Sequence, residues 1–301
     1  MAMAVADAES GGPGGLEQAA EVFAGMRPRL FGIAYRMLGS ATEAEDLVQD
    51  VWLRWQGYDR TTVDNPAAFL ATTITRLAIN AAQSARARRE TYVGPWLPEP
   101  VDTSADPHLG AERGEALEFA VLLLLERLSP TERAAYVLRE AFEYPYRQIA
   151  DIIQLNEAAV RQLVSRARKR VLVERRAPVS RSEQRRLLAA FITAARSGDL
   201  KALEELFAED VISYSDGGGR VRGASRIPVV GASRLAKVIR AFSGSFWTGV
   251  EVAWASTNGQ PSALLSRDGE VFAVITVNAS EQGIDQVLWM LNPAKLTAVS
   301  V

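Results

Sequence analysis

The stretch YRQIADIIQLNEAAVRQLVSRARKR (146–170) sets guanidinium, ammonium and amide side chains in a pattern suited to reading nucleic acid. Ala150 has the small size a helix-turn-helix needs between its helices, and Val160, ten positions later, sits where the second helix packs back. Ile149, Ile153 and Leu155 fill the space between. A second helix opening after Asn156, a good N-cap, turns Arg161, Gln162, Ser165, Arg168 and Lys169 outward. Guanidinium and amide groups read base edges in the major groove, and flanking cations anchor phosphates. The same spacing also suits a basic helix that merely faces water. Between Arg161 and Arg186 there are ten Arg or Lys against two acids, Glu174 and Glu183, although the whole chain carries −2. One region is therefore built to meet a polyanion while the chain as a whole is not.

Two other groupings carry chemistry. In TEAEDLVQDVWLRW (42–55), Leu47, Val48, Val51, Trp52 and Trp55 form an apolar stripe, leaving Asp46, Gln49, Asp50 and Leu53 on a separate face available to a partner. In YSDGGGR (214–220), a carboxylate and a phenol, Asp216 and Tyr214, resemble an acid–base pair. Alternation puts them on one face only if the strand runs through 216, where three glycines begin. Those glycines, Gly217 to Gly219, serve either a tight turn or a surface that another piece of backbone approaches closely. With no cysteine, disulfides and thiolate metal sites are excluded, and a single histidine, His108, argues against a histidine metal cluster or a Ser/His/Asp triad. No catalytic residue, metal or cofactor is expected, and the chain is read as a non-enzyme.

At 301 residues the chain is long enough for two or three domains to position these groups. Residues 1–25 read as a disordered leader and not as a signal peptide. The longest apolar run, Phe119 to Leu125, falls far short of the roughly 20 residues that span a membrane. No membrane partner is expected, and the absence of cysteine fits a cytoplasmic location. Helical spacing covers 26–91, with Thr42 and Glu45 at capping-box spacing and a third helix from Ala67 to about Arg89. A Pro-rich, acidic linker follows over 92–111. Helices resume over 112–176, with starts marked by Ser129-Pro130 and Tyr144-Pro145. From 183 to 301, helical segments (183–197, 199–207, 231–243) mix with alternating runs broken at Asn258-Gly259, Asp268-Gly269 and Glu281 to Gly283. That is an α+β domain with a curved antiparallel sheet.

GIAYRMLGSATEAEDLVQDVWLRW (32–55), NPAAFLATTITRLAINAAQSARARR (65–89) and LSPTERAAYVLRE (128–140) with the helix-turn-helix resemble, in order, regions two and four of extracytoplasmic-function sigma factors. These are the bacterial promoter-recognition subunits of RNA polymerase. The resemblance implies two all-α sigma domains, core RNA polymerase and promoter DNA as partners, and Asp46, Gln49 and Asp50 at the polymerase interface. It puts Asn80 at a pocket for a base flipped from the non-template strand, with Arg76, Arg86, Arg88 and Arg89 holding the backbone. Without it, Asn80 reads as a helix amide facing water. Between Pro66 and Arg89 the only aromatic is Phe69, so stacking platforms for melted bases are scarce. At the upstream element the implied readers are Arg161, Gln162 and Ser165.

The last domain resembles the SnoaL-like cone. WLPEP (96–100), DGGGR (216–220) and NPAKL (292–296) occur together in sigma factors that carry it, and NPAKL departs from the commoner acidic third residue at Ala294. The resemblance implies regulation in cis. The docking expected is of Trp96, Leu97, Pro98, Glu99 and Pro100 against Asp216, Gly217, Gly218, Gly219 and Arg220, with Asp216 and Arg220 bracketing the incoming backbone. A small molecule in the apolar mouth of the cone is a further candidate partner.

Overall fold

The computed structural model describes residues 13–103, 118–174, 176–297 and 299. The first helix, α1 (Pro13–Leu38), starts well inside the expected leader. Ala19 and Phe23 are buried, and the Trp55 indole N–H donates to the Ala19 carbonyl at 3.1 Å. Ala19 and Phe23 thus belong to the core, because they find partners on α2 (Ala41–Gln56), including Trp52, whose ring lies 4.9 Å from that of Phe23. Gly39, with φ of +64°, ends α1 and turns the chain so that Ser40, not Thr42, caps α2. The Ser40 hydroxyl accepts from the Glu43 N–H at 3.1 Å, which replaces the capping box expected from Thr42 and Glu45. Asn65 caps α3 (Pro66–Glu90), whose buried face runs through Leu70, Ile74 and Ala78.

Beyond the first linker come α4 (Phe119–Leu125), α5 (Pro130–Glu140), α6 (Tyr146–Ile153) and α7 (Glu157–Glu174). Ser129 and Glu132 close a capping box on α5. α6 and α7 form the helix-turn-helix, with Ile149, Ala150 and Val160 buried and Gln154 left-handed at the corner. Helices α1–α3 and α4–α7 share one hydrophobic core. Polar contacts lock them together: Arg133 donates to the Met37 carbonyl at 2.8 Å, and Arg29 donates to the Phe142 carbonyl at 3.2 Å. The expected linker end at 111 and the domain start at 112 lie outside the described residues, as does the leader before residue 13.

The C-terminal domain comprises α8 (Arg181–Ser197), α9 (Leu200–Leu206), β1 (Phe207–Asp216), β2 (Val229–Val230), α10 (Ala232–Phe246), β3 (Glu251–Thr257), β4 (Gln260–Arg267), β5 (Glu270–Ser280) and β6 (Gly283–Met290). The described strands form one sheet in the order β2-β1-β6-β5-β4-β3. Asn258-Gly259 and Asp268-Gly269 both take positive φ, as two-residue hairpins joining right-twisted strands require. The sheet departs from the expected antiparallel pattern once, because β1 and β6 run parallel. The intervening α10 and the β3–β6 meander bring the chain back in the same direction. Alternation divides the sheet cleanly. Ala263, Leu265, Ile275, Val287 and Trp289 pack under α8 and α10, whereas Leu264, Val274, Leu288 and Met290 face the other way and are covered by Leu97 and Phe119. The cone's second face is thus closed by the linker and α4. Among the described residues, no helix is long and apolar enough to cross a membrane.

Candidate functional site

Residues 92–103 lie between helices α1–α7 and the C-terminal domain, and one carboxylate organises the contact. Asp216, at the end of β1, is fully buried. Its Oδ2 accepts from the Leu97 N–H at 2.9 Å and from Lys295 Nζ at 2.8 Å, and its Oδ1 accepts from the Gly218 N–H at 3.1 Å and the Tyr92 hydroxyl at 2.5 Å. Lys295 Nζ also donates to the Leu97 carbonyl at 2.5 Å, and the Asn292 amide donates to the Tyr92 hydroxyl at 2.9 Å. Burial pulls the Lys295 ammonium below its ordinary pKa, and Asp216 opposes that pull. Burial pushes the Tyr92 phenol up, reinforced by its hydrogen bond to Asp216.

The cation on Asp216 is therefore Lys295, from NPAKL, and not Arg220. Gly218 and Gly219 take φ of +58° and +71°, and the turn carries the Arg220 side chain to the exposed surface. The turn reading holds, and the close approach comes from side chains and not from another piece of backbone. Positive φ demands them for the turn, and a Cβ on Gly218 would lie 2.6 Å from the Asn292 amide while one on Gly219 would lie 2.9 Å from the Val93 Cβ.

The linker's other side grips the first helices. Glu99 Oε2 accepts from the N–H groups of Ala41 and Thr42 at 2.7 and 3.1 Å, and Oε1 accepts from the Ser40 hydroxyl at 2.8 Å, so a carboxylate sits on the positive end of α2. The Glu99 N–H donates to the Gly39 carbonyl at 2.8 Å, and the Tyr35 hydroxyl donates to the Glu99 carbonyl at 2.6 Å. Asn258, at the β3–β4 turn, donates to Tyr35 at 2.6 Å and pairs through its backbone N–H and side-chain Oδ1 with Val101. The Trp96 ring packs on Gly39, with the Arg89 guanidinium 3.6 Å from its centroid and Lys295 Nζ 4.3 Å from it. Leu97, Pro98 and Pro100 are buried. Sequence reasoning passed over Tyr35, Tyr92, Asn258, Asn292 and Lys295. The NPAKL motif pointed at the last two, Asn258 signalled only a turn, and nothing local marked the tyrosines.

β1 does run through Asp216, so Tyr214 and Asp216 share a face. That face is the one the linker covers; the cone's own cavity is lined by Ser213 and Ser215 from the opposite side of the strand. Four donors occupy the Asp216 carboxylate, which leaves it unsuited to proton abstraction.

On the outer surfaces, Asp46, Gln49 and Asp50 are exposed on one face of α2, beside Leu53, itself 57% exposed. On α7, Arg161, Gln162, Ser165, Arg168 and Lys169 are exposed; Arg161 pairs with Glu157 and lies over the Tyr146 ring, and Arg168 holds Glu140 at 2.7 Å. Along α3, Asn80 and Arg86 are exposed, and Arg88 pairs with Glu43. Two members of that basic group also bond within the molecule, Arg76 while still exposed and Arg89 half-buried. Arg76 donates through Nε to the Ile152 carbonyl at 2.9 Å and through a terminal nitrogen to that of Asp151 at 3.3 Å, at the C-terminal end of α6. Arg89 pairs with Glu126 beyond α4, donates to the Leu38 carbonyl and stacks on Trp96. Burial, together with nearby Arg133, pulls the Arg89 pKa down to about 9.

Residues 22–88 match the family described as Sigma-70 region 2, and residues 118–171 match Sigma-70, region 4. The chain is 38% identical over 226 residues to the ECF RNA polymerase sigma factor SigJ of Mycobacterium tuberculosis (strain ATCC 25618 / H37Rv), covering 72% of this chain and 70% of that protein. It is 29% identical over 276 residues to the Probable ECF RNA polymerase sigma factor SigI of Mycobacterium tuberculosis (strain CDC 1551 / Oshkosh), covering 90% of this chain and 92% of that one. The crystal structure of Mycobacterium tuberculosis extracytoplasmic function sigma factor SigJ superposes with a TM-score of 0.74 at 30% identity, over 93% of this chain and 98% of its own.

Proposed function

Because this chain belongs to the ECF RNA polymerase sigma factors, non-enzymatic subunits that bind core polymerase and promoter DNA, we propose that its C-terminal domain restrains it in cis by holding the linker. In this reading the 26–91 helices are region two, 112–176 region four, and 183–301 a SnoaL-like regulatory cone of the WLPEP, DGGGR and NPAKL subgroup. The observation that carries it is the double anchoring of the linker, to Asp216 of the cone and, through its own Glu99, to the N-terminal end of α2. Held this way, the helices keep Arg76 against α6 and Arg89 against Glu126, so two cations assigned to the DNA backbone are engaged elsewhere. Spreading on polymerase and closure around the linker compete, and the difference in docking free energy between the two states sets activity.

Run-off transcription with core polymerase tests this. Full-length Trp96→Ala and Glu99→Ala chains are expected to initiate several-fold more than wild type at equal concentration. Unchanged or reduced initiation from folded variants overturns restraint in cis.

The DNA contacts carry their own expectations. Arg161→Ala is expected to relax selection at one upstream position and to weaken binding about 5- to 150-fold, the range for a lost bidentate base contact. Arg168 and Lys169 variants should instead weaken binding uniformly and flatten its salt dependence. A randomised-site selection that returns the same sequence for Arg161→Ala removes that reader. Asn80→Ala is expected to spare initial binding and reduce strand opening, since its contact exists only once a base has left the stack. Permanganate footprinting separates the two steps, and equal melting returns Asn80 to a solvent-facing amide.

A further inference from the structure

From Gly217 to Val250 the chain carries Arg220, Arg222, Arg226, Arg234, Lys237 and Arg240 and no acid, within a molecule whose net charge is −2. Arg220, Arg222 and Arg226 crowd into the loop between β1 and β2. All three are exposed, and among the described residues none of their guanidinium groups has a hydrogen-bond or ion-pair partner. Like charges this close repel when no carboxylate lies among them, so an anion from outside stabilises the loop. The loop curls around a hollow of about 300 Å³, lined by residues 219–226 and by Val93 and Gly94 of the linker. Part of it is bare backbone. A Cβ on Gly223 would meet nothing within 4 Å, so a bulky group can close on the main chain there.

The hollow lies where α3 hands the chain to the linker. A Cβ on Gly219 would sit 2.9 Å from the Val93 Cβ, and one on Gly94 would sit 3.7 Å from the Arg226 Cα, so the loop packs on residues that directly follow α3. The last turns of α3 carry Arg86 and Arg88, both exposed, with Arg88 paired to Glu43 and Glu90 the one acid of that end. Two arginine groups, one from each domain, therefore meet across Val93 and Gly94.

We propose that Arg220, Arg222 and Arg226 bind the phosphate backbone of single-stranded DNA, extending past region two a track that Arg86 and Arg88 begin. Guanidinium forks match phosphate oxygens two at a time, and all three cations of the loop are arginine. The loop has no aromatic to stack on a base, so its contact is to phosphate and indifferent to sequence. A nucleic-acid strand fits better than an acidic peptide because the adjoining helix belongs to the region of a sigma factor that meets promoter DNA. The shared track rests on the reading of Arg86 and Arg88 as backbone contacts; the loop's own contact does not.

The full-length chain, without polymerase, is titrated into a fluorescein-labelled oligodeoxythymidine of about 20 nucleotides and followed by anisotropy between about 50 and 200 mM salt. Arg220→Gln/Arg222→Gln/Arg226→Gln is expected to weaken binding about tenfold or more at the low-salt end. It should also flatten the slope of log K against log salt by about 2, since each phosphate contact on a single strand contributes about 0.7. Arg234→Gln/Lys237→Gln/Arg240→Gln removes the same charge from the exposed face of α10 and is expected to change the slope by less than half as much. All the substituted side chains are exposed, and an unchanged melting profile checks each fold. Equal losses from the two triples make the effect one of net charge and overturn the loop as a site. A loop triple that binds the strand like wild type but loses affinity for core polymerase also overturns it, and is the result an acidic protein partner predicts. Arg86→Gln/Arg88→Gln reports on the neighbouring reading by itself. A loss from that pair with none from the loop triple leaves α3 on the strand and overturns the proposal, whereas a loss from the triple alone keeps the loop contact and overturns the shared track. No readout involves initiation, so failure here is distinguishable from failure of restraint in cis.

Discussion

Asp216→Ala is expected to release the linker and destabilise the chain by about 3 to 5 kcal/mol, the scale of breaking a buried ion pair by removing one partner. Lys295 is only 8% exposed and would be left with its charge among Tyr92, Trp96 and the Leu97 carbonyl. The Leu97 N–H and the Tyr92 hydroxyl lose their acceptor in the same step. Lys295→Met alone strands the carboxylate instead. The double variant Asp216→Ala/Lys295→Met removes both charges, so its loss should be well below the sum of the single losses. Denaturant unfolding of the three variants gives the coupling, and limited proteolysis within 92–103 reports whether the linker is free. Additive losses, or a linker that stays protected in Asp216→Ala, would sink the assignment of Asp216 as the organising contact.

Replacing the exposed face of α2 should have the largest effect on polymerase with the least on folding. Asp46→Arg, Gln49→Ala and Asp50→Arg together are expected to reduce affinity for core polymerase by about 30-fold or more, since truncating partners of interfacial charge pairs costs about 2 to 5 kcal/mol. All three side chains are exposed, while the stripe that anchors the helix, Val48, Val51 and Trp55, lies untouched on the other face. Surface changes of this kind usually move stability by about 0.5 kcal/mol or less. Co-purification of the triple variant with core polymerase at the wild-type level would remove this face from the interface.

Local pattern made much of the architecture legible. The helix-turn-helix follows from Ala150, Val160 and the capping residue Asn156, whose side chain accepts from the Ala159 N–H at 2.8 Å. The two hairpins follow from Asn-Gly and Asp-Gly, and the strand faces follow from alternation. Each of these depends on residues within a turn or two of one another. The errors fall where the deciding partner is distant in the chain. Ser40 caps α2 while Glu99, 59 residues on, bonds to the same hydroxyl, so a local capping box at Thr42 was outcompeted. Acids and small residues at the start of the chain gave the reading of 1–25 as a leader, yet Trp55 and Trp52 give Ala19 and Phe23 partners.

By itself, the order of residues determined the helical and α+β halves, the basic exposed face of α7, the polar face of α2 and the three motifs around the linker. Only the tertiary structure decided how they meet. It chose Lys295 over Arg220 as the partner of Asp216, because the glycine turn sends one cation outward while the last turn after β6 brings the other beneath Trp96. It also bonded Arg76, still exposed, to the end of α6 and drew Arg89 in against Glu126. Periodicity tells which face of an element is apolar, since that depends on neighbours along the chain. Which charge is buried against which depends on distances between elements, and those exist only once the core has closed.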